Sequence, residues 1–418
     1  CSFEADKGFL HAFFNHLLCQ SHEDVLLRID SRELENWLVA QKKDQPDLIL
    51  KYYQNQGRHI QAAEVAWSRA NCTDFDLILN DRIECLVHAS DSYSAAMHRC
   101  QGNPDELGRK KKEVEERLEI ARMQSRVRQT LSSTKYELTE DNVERLSNSL
   151  LSVNELFNNY AMPYDMYENC LLLLHVCKHD DVGHIQKFWK SIFCEEIFPC
   201  ATRSEQVYRA LCSFPEGSLL EDSVVSLLND GSPSHESLFE NGGWMKRLEG
   251  RVVNLGREVF GHGADFIFPV DFILSNLEAL RRAYANGKPE SDAKETQAWP
   301  LAIMVSVGVP YLVVLSAFEQ LIEQENHATM GGVAPARRLE HLQNVVTMLE
   351  AFESSARSGL HQGQGPAFEE MSNAVASGAF LGAIENCKAK LHSLPGDVSA
   401  EESRLIVLDL ACRQYYRQ

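Results

Sequence analysis

The stretch LLLLHVCKHDDVGH, residues 171–184, sets three histidines, a cysteine and two aspartates behind a run of four leucines. Those are zinc-binding side chains, so their spacing decides whether they could hold a metal together. His175 and His179 stand four apart, which would put both on one face of a continuous helix, as in HExxH metal sites. Position 176 is Val176, however, so the glutamate that would activate a water is missing. Cys177, two residues on at about 100° each, points away from that face. His184 lies past Asp180 and Asp181, inside the next helical run, and either aspartate suits the N-cap of a helix over 182–194. A helix end followed by a turn explains the stretch without a metal.

Other reactive groupings are weaker. Gly256-Arg257-Glu258-Val259-Phe260-Gly261-His262-Gly263 has glycines at a phosphate-loop-like spacing, but it lacks the Lys-Ser/Thr of a P-loop and any preceding strand. No GxSxG nucleophile elbow occurs. Glu195-Glu196 and Glu369-Glu370 are adjacent in sequence, so each pair diverges around a helix and reads as a solvated face. The sequence predicts no catalytic, cofactor-binding or metal-binding residue, and no cofactor.

What remains is apolar surface that could bind rather than react. Phe266, Phe268 and Phe272 fall within seven residues, Val313, Val314 and Phe318 follow, and Leu349 and Phe352 sit three apart. One reading makes all of them inter-helix core. The other is a groove for a linker peptide, where stacking runs out near the C-terminal end.

The elements that would position these residues are helices. Apolar residues recur at three- and four-residue spacing over 9–18, 47–55, 60–70, 76–89, 109–131, 140–160, 164–178 and 182–194, and strand-like alternation is scarce. Residues 47–70 read as a helical hairpin, with Gly57 as the C-terminal cap of its first helix and Ala62-Ala63 letting two backbones approach. Asp81 and Arg82 are expected to open a further helix, and Thr139 to cap another. Breaks rich in Gly, Pro, Ser or Asn fall at 101–108, 229–243, 285–295, 327–336 and 361–366. The run WPLAIMVSVGVPYLVVLSAF, residues 299–318, is long enough to span a bilayer, but Gly308-Val309-Pro310 interrupts it and predicts two short buried helices instead. The fold class expected is all-α: an irregular α-solenoid of stacked antiparallel helix pairs over 1–418, with sub-segments at 1–228, 244–355 and 367–418.

Charge narrows the partners. A net charge of −19 and a pI of about 5.3 exclude duplex nucleic acid as a main partner, which needs clustered cations. The basic run Arg109-Lys110-Lys111-Lys112 is flanked by glutamates and reads as a solvated helix start. Twelve cysteines lie mostly in apolar runs without a CxxC pair, which fits reduced thiols of the cytosol or nucleus. A start at Cys1 rather than Met suggests a piece of a longer chain.

Several stretches in order carry a resemblance. FLHAFFNHLL (9–18) with LLRIDSRELENWL (26–38), the hairpin 47–70, DRIECLVHA (81–89) and VEERLEIARMQSRVRQTL (114–131) come first. The long run 156–193, REVFGHGADFIFPVDFILSNLE (257–278) and Trp299 to Pro310 continue it. Over residues 3–355 the chain resembles the C-terminal solenoid of the large, non-repetitive inner-ring scaffold nucleoporins of the nuclear pore complex. The resemblance implies a location at the nuclear envelope, no enzymatic activity, and a β-propeller and more solenoid upstream. It also implies partners: linker nucleoporins docked through short linear motifs, and other inner-ring scaffold nucleoporins. The residues alone leave open a cytosolic helical adaptor of the vesicle-coat type and, more remotely, a metal-dependent hydrolase.

Overall fold

A computed structural model describes residues 2–20, 22–41, 46–73, 77–133, 139–197, 243–261, 265–285, 296–328, 335–362, 366–395 and 397–415. Among them every regular element is a helix and none is a strand. Contacts divide the chain into two compact units, 1–177 and 178–418. The expected sub-segment end at 228 falls outside the described residues.

The first unit opens with α1 (Ser2–Cys19), the short α2 (Glu23–Leu26) and α3 (Arg32–Ala40). The hairpin follows as α4 (Pro46–Asn55) and α5 (His59–Ala70), with Gly57 at φ 68° in the turn between them. A left-handed residue at that point is where glycine costs least. Ala62, Ala63, Ala66 and Ala70 are buried, and this small-residue face lets α5 pack closely on α6 (Leu79–His98). The long α7 (Pro104–Ser133) packs on α6 in turn, beginning inside the expected break at 101–108 because Pro104 suits a first helical turn. The basic run lies on its outer surface, with Lys110, Lys111 and Lys112 each paired to a glutamate one turn on or back.

Two expectations need correction in this unit. The helix expected to open at Asp81 and Arg82 begins at Leu79, and Arg82 is a buried staple only 4% exposed. Its Nη1 donates to the carbonyls of Ala70 and Cys72 at 2.7 and 2.8 Å, and its Nε to those of Asn148 and Leu77 at 2.7 and 3.2 Å. The single helix expected over 140–160 is broken into α8 (Glu140–Asn148) and α9 (Val153–Leu156), which runs into a π-turn over Phe157–Ala161. The break survives burial because Gln124 of α7 supplies the missing bonds: its Nε2 donates to Leu146 O and Ser149 O, and its Oε1 accepts from Leu151 N. Ser152 and Glu155 then form a capping box that restarts the helix, and Thr139 caps α8 as expected. The last element of the unit is α10 (Tyr167–Cys177).

The second unit holds α11 (Val182–Ile197), α12 (Gly243–Val259), a 3-10 turn (Asp265–Ile267), α13 (Val270–Ala285), α14 (Trp299–Val307), α15 (Tyr311–Ala328), α16 (Pro335–Gln362), α17 (Pro366–Ala376), α18 (Ala379–His392) and α19 (Ser399–Tyr415). Successive helices pack on one another through most of it. The uncharged run 299–318 is split as predicted, with Gly308 at φ 96° between α14 and α15. Among the described residues no helix is long and apolar enough to cross a membrane. Gly256 lies within α12, against Val307 and Phe268, so the phosphate-loop-like stretch begins as a packed helix. His262 and Gly263 of that stretch lie outside the described residues.

Of the acidic pairs, Glu369 is exposed as expected, but Glu195, Glu196 and Glu370 are not solvated faces. Arg251 of α12 reaches both Glu195 and Glu196 at 3.0 Å, and Arg247 pairs with Glu196 at 2.8 Å. Glu370 of α17 accepts from the N–H of Leu312 at 3.1 Å, capping the half-buried start of α15. In both cases a neighbouring helix brings cations or free N–H groups to the carboxylates, which spacing along one helix cannot reveal.

Candidate docking surface

The stretch 171–184 is resolved residue by residue. α10 carries Leu171 to Leu174 into the core of the first unit and ends at Cys177, whose thiol donates to Leu174 O at 3.5 Å. Lys178 sits in the left-handed region at φ 53°, so His179 is outside the helix and the expected shared face with His175 does not form. Asp181 is the cap of α11: it accepts from His184 N at 3.1 Å and meets His184 Nδ1 at 2.8 Å. That contact holds the Asp181 carboxyl below the ordinary aspartate range. Among the described residues no group of three or more His, Cys, Asp or Glu could hold a metal ion. Burial pushes the Cys170, Cys387 and Cys412 thiols up to about 12, so these sulfurs stay protonated and behave as small apolar groups.

The structure separates the residues expected to line a groove into two sets. Phe268, Phe318, Leu349 and Phe352 are fully buried. Phe352 stacks on Tyr311 with centroids 4.5 Å apart and meets Phe380 edge-on at 5.6 Å, tying α15, α16 and α18 together. Phe268 is a packing partner of Trp189, edge-on at 5.5 Å. Phe266 and Phe272 are half-buried, and Val313 is 41% exposed. Only these last three offer a side chain to a partner without a rearrangement of the core.

One corner holds two of them. The Trp189 indole donates to Ile267 O at 2.8 Å, which fixes the 3-10 turn against α11 and sets where α13 begins. Phe266 is on that turn and Phe272 is in the first turns of α13. Lys190 of α11 stands with Nζ 5.9 Å from the Phe272 ring centroid. Sequence reasoning passed over Lys190, although a lone cation inside FWKSIF was the available signal.

A second feature lies between α13 and α16. Arg281, 2% exposed, pairs with Glu278 at 3.0 Å and with Glu340 at 2.6 Å, while Asn344 donates to Glu278 at 3.2 Å. The ion pairs and the Asn344 amide fix the register of the two helices, while Asn344 Oδ1 is buried without a hydrogen bond.

The family model for non-repetitive/WGA-negative nucleoporin C-terminal regions matches residues 2–376. Among curated proteins, the chain is 30% identical over 192 residues to nuclear pore complex protein Nup154 of Drosophila melanogaster, covering 44% of this chain and 13% of that protein. It is 23% identical over 332 residues to nucleoporin NUP170 of Chaetomium thermophilum, covering 77% of this chain and 22% of that protein. The chain thus spans well under a third of the length of these relatives. Among solved structures, the Chaetomium thermophilum Nup170 CTD–Nup145N complex matches 97% of this chain and 71% of that chain, with TM-score 0.61 and 18% identity. The Nup170 SOL structure of the same fungus gives TM-score 0.64 at 18% identity, over 96% of this chain and 48% of that chain. At such identity these structures establish the fold, an α-solenoid of stacked helix pairs.

Proposed function

Because the chain belongs to the non-repetitive/WGA-negative nucleoporin C-terminal family, we propose that it is a structural scaffold of the nuclear pore complex inner ring, docking linker nucleoporins and neighbouring scaffold nucleoporins. The family match over residues 2–376 carries this reading. It locates the chain at the pore in the nuclear envelope and makes support of nucleocytoplasmic transport its contribution. The chain acts through shape rather than catalysis: stacked hairpins offer long surfaces on which extended segments lie. The Nup170 fragment that shares its fold was solved with Nup145N, which makes a linker of that kind the first partner to try. Of the groove residues, Phe266, Phe272 and Val313 are the ones through which a linker would be held. A vesicle-coat adaptor is disfavoured, since the curated relatives are nucleoporins.

Two measurements test the proposal. A tagged chain should decorate the nuclear rim, and cytosolic puncta in its place would overturn the scaffold reading. A purified Nup145N-type linker should bind the chain in calorimetry, and Val313→Glu should weaken binding without moving the melting temperature. The same change at Phe352 should unfold the protein.

A further inference from the structure

The corner built by α11, the 3-10 turn and α13 holds a cation that no carboxylate among the described residues compensates. Lys190 is half-buried on the Phe272 ring, and burial pushes its ammonium below the ordinary lysine range. No carboxylate among the described residues pairs with it or offsets that shift. The acids further along its own helix are engaged elsewhere, Glu195 with Arg251 and Glu196 with both Arg247 and Arg251. A half-dry ammonium without a counter-ion is unfavourable in the free chain, and a carboxylate arriving from outside would relieve that cost. Beside it, the half-buried Phe272 ring, with Phe266 six residues earlier, offers aromatic surface to an apolar side chain next to such a carboxylate. Trp189 anchors the turn beneath, so the corner is set before anything binds.

We propose that Lys190 and Phe272 form a recognition point for a peptide segment that carries an aspartate or glutamate next to a large apolar residue. This rests on the docking reading above and narrows it to a charge pattern. A chain with net charge −19 disfavours acidic segments on the whole, so a cation with no carboxylate partner among the described residues also sets the register of the segment it accepts.

The test uses two short acetylated and amidated peptides, identical except that one carries Asp-Leu-Phe where the other carries Asn-Leu-Phe. Both are titrated into the whole chain by calorimetry. The Asp peptide should bind about tenfold tighter, as one charge-assisted contact supplies. Lys190→Met keeps the aliphatic stem and should bring the two peptides to the same affinity, while Phe272→Ala should weaken both. Equal affinities on the unaltered chain, binding of neither peptide, or an Asp advantage that survives Lys190→Met would each overturn the proposal. The comparison on the unaltered chain needs no variant, so a poorly folding Lys190→Met leaves it decisive. A Nup145N-type linker held equally well by Lys190→Met would sink this recognition point and leave the scaffold reading standing. A linker that never binds would sink the docking reading, and the peptide pair would still judge Lys190.

Discussion

Single residues do much of the work of joining helices. Arg82 gathers four backbone carbonyls from the end of α5, the start of α6 and the end of α8. Arg82→Met keeps most of the volume and removes every donor, so it should cost about 3 kcal/mol in urea denaturation, the scale of buried acceptors left without partners. Glu370 gives a pH-dependent case. Burial raises its pKa from 4.5, against the pull of the Leu312 and Tyr311 N–H groups. The folded chain therefore holds this proton more tightly than the unfolded one. Its contribution is fully present below the unfolded value and is lost as pH rises through the raised folded value. Glu370→Gln keeps an oxygen for the N–H groups and never ionises. The variant should melt higher than the parent at neutral pH, and the gap should close on acidification below 4.5. A gap that widens in acid would reverse the assignment.

At the scale of elements, close approach governs the second unit. A Cβ on Gly256 would meet Val307 Cγ2 at 2.7 Å and Phe268 Cε2 at 2.8 Å, so α12 and α14 pack as near as they do because that position has no side chain. Gly256→Ala should destabilise by about 1–3 kcal/mol, the usual cost of overpacking, read from the shift in denaturation midpoint. Helix existence was legible in the sequence wherever the apolar period ran long, as in the hairpin 47–70 and the split of 299–318. Boundaries were legible where a residue's own chemistry set them, as at Gly57, Thr139, Asp181 and Gly308. They were lost where a distant side chain set them. Nothing in residues 140–160 announces that Gln124 will hold a break open, and nothing at Lys178 announces a left-handed turn that leaves His179 off its helix.

For the whole molecule, far-UV circular dichroism should report a helical protein, and a strand content near the globular average of about a fifth would contradict the solenoid class. The fold was the most legible property because every hairpin repeats the same period. The docking surface was the least legible, because an apolar run looks the same whether a neighbouring helix or a partner covers it. Phe268, Phe318, Leu349 and Phe352 turn inward, while Phe266, Phe272 and Val313 remain accessible. The split at Gly308 also matters before any of this packing exists. A nascent chain shows residues 299–318 to the cell's protein-insertion machinery as a continuous uncharged run. Helical segments like α14, nine residues long, extend only about 13 Å, far short of the roughly 30 Å of bilayer hydrocarbon. With no neighbouring helices to satisfy the backbone freed at Pro310, threading the run through lipid is penalised. The same turn that separates two helices in the finished protein thus leaves the run without an uninterrupted apolar helix of spanning length.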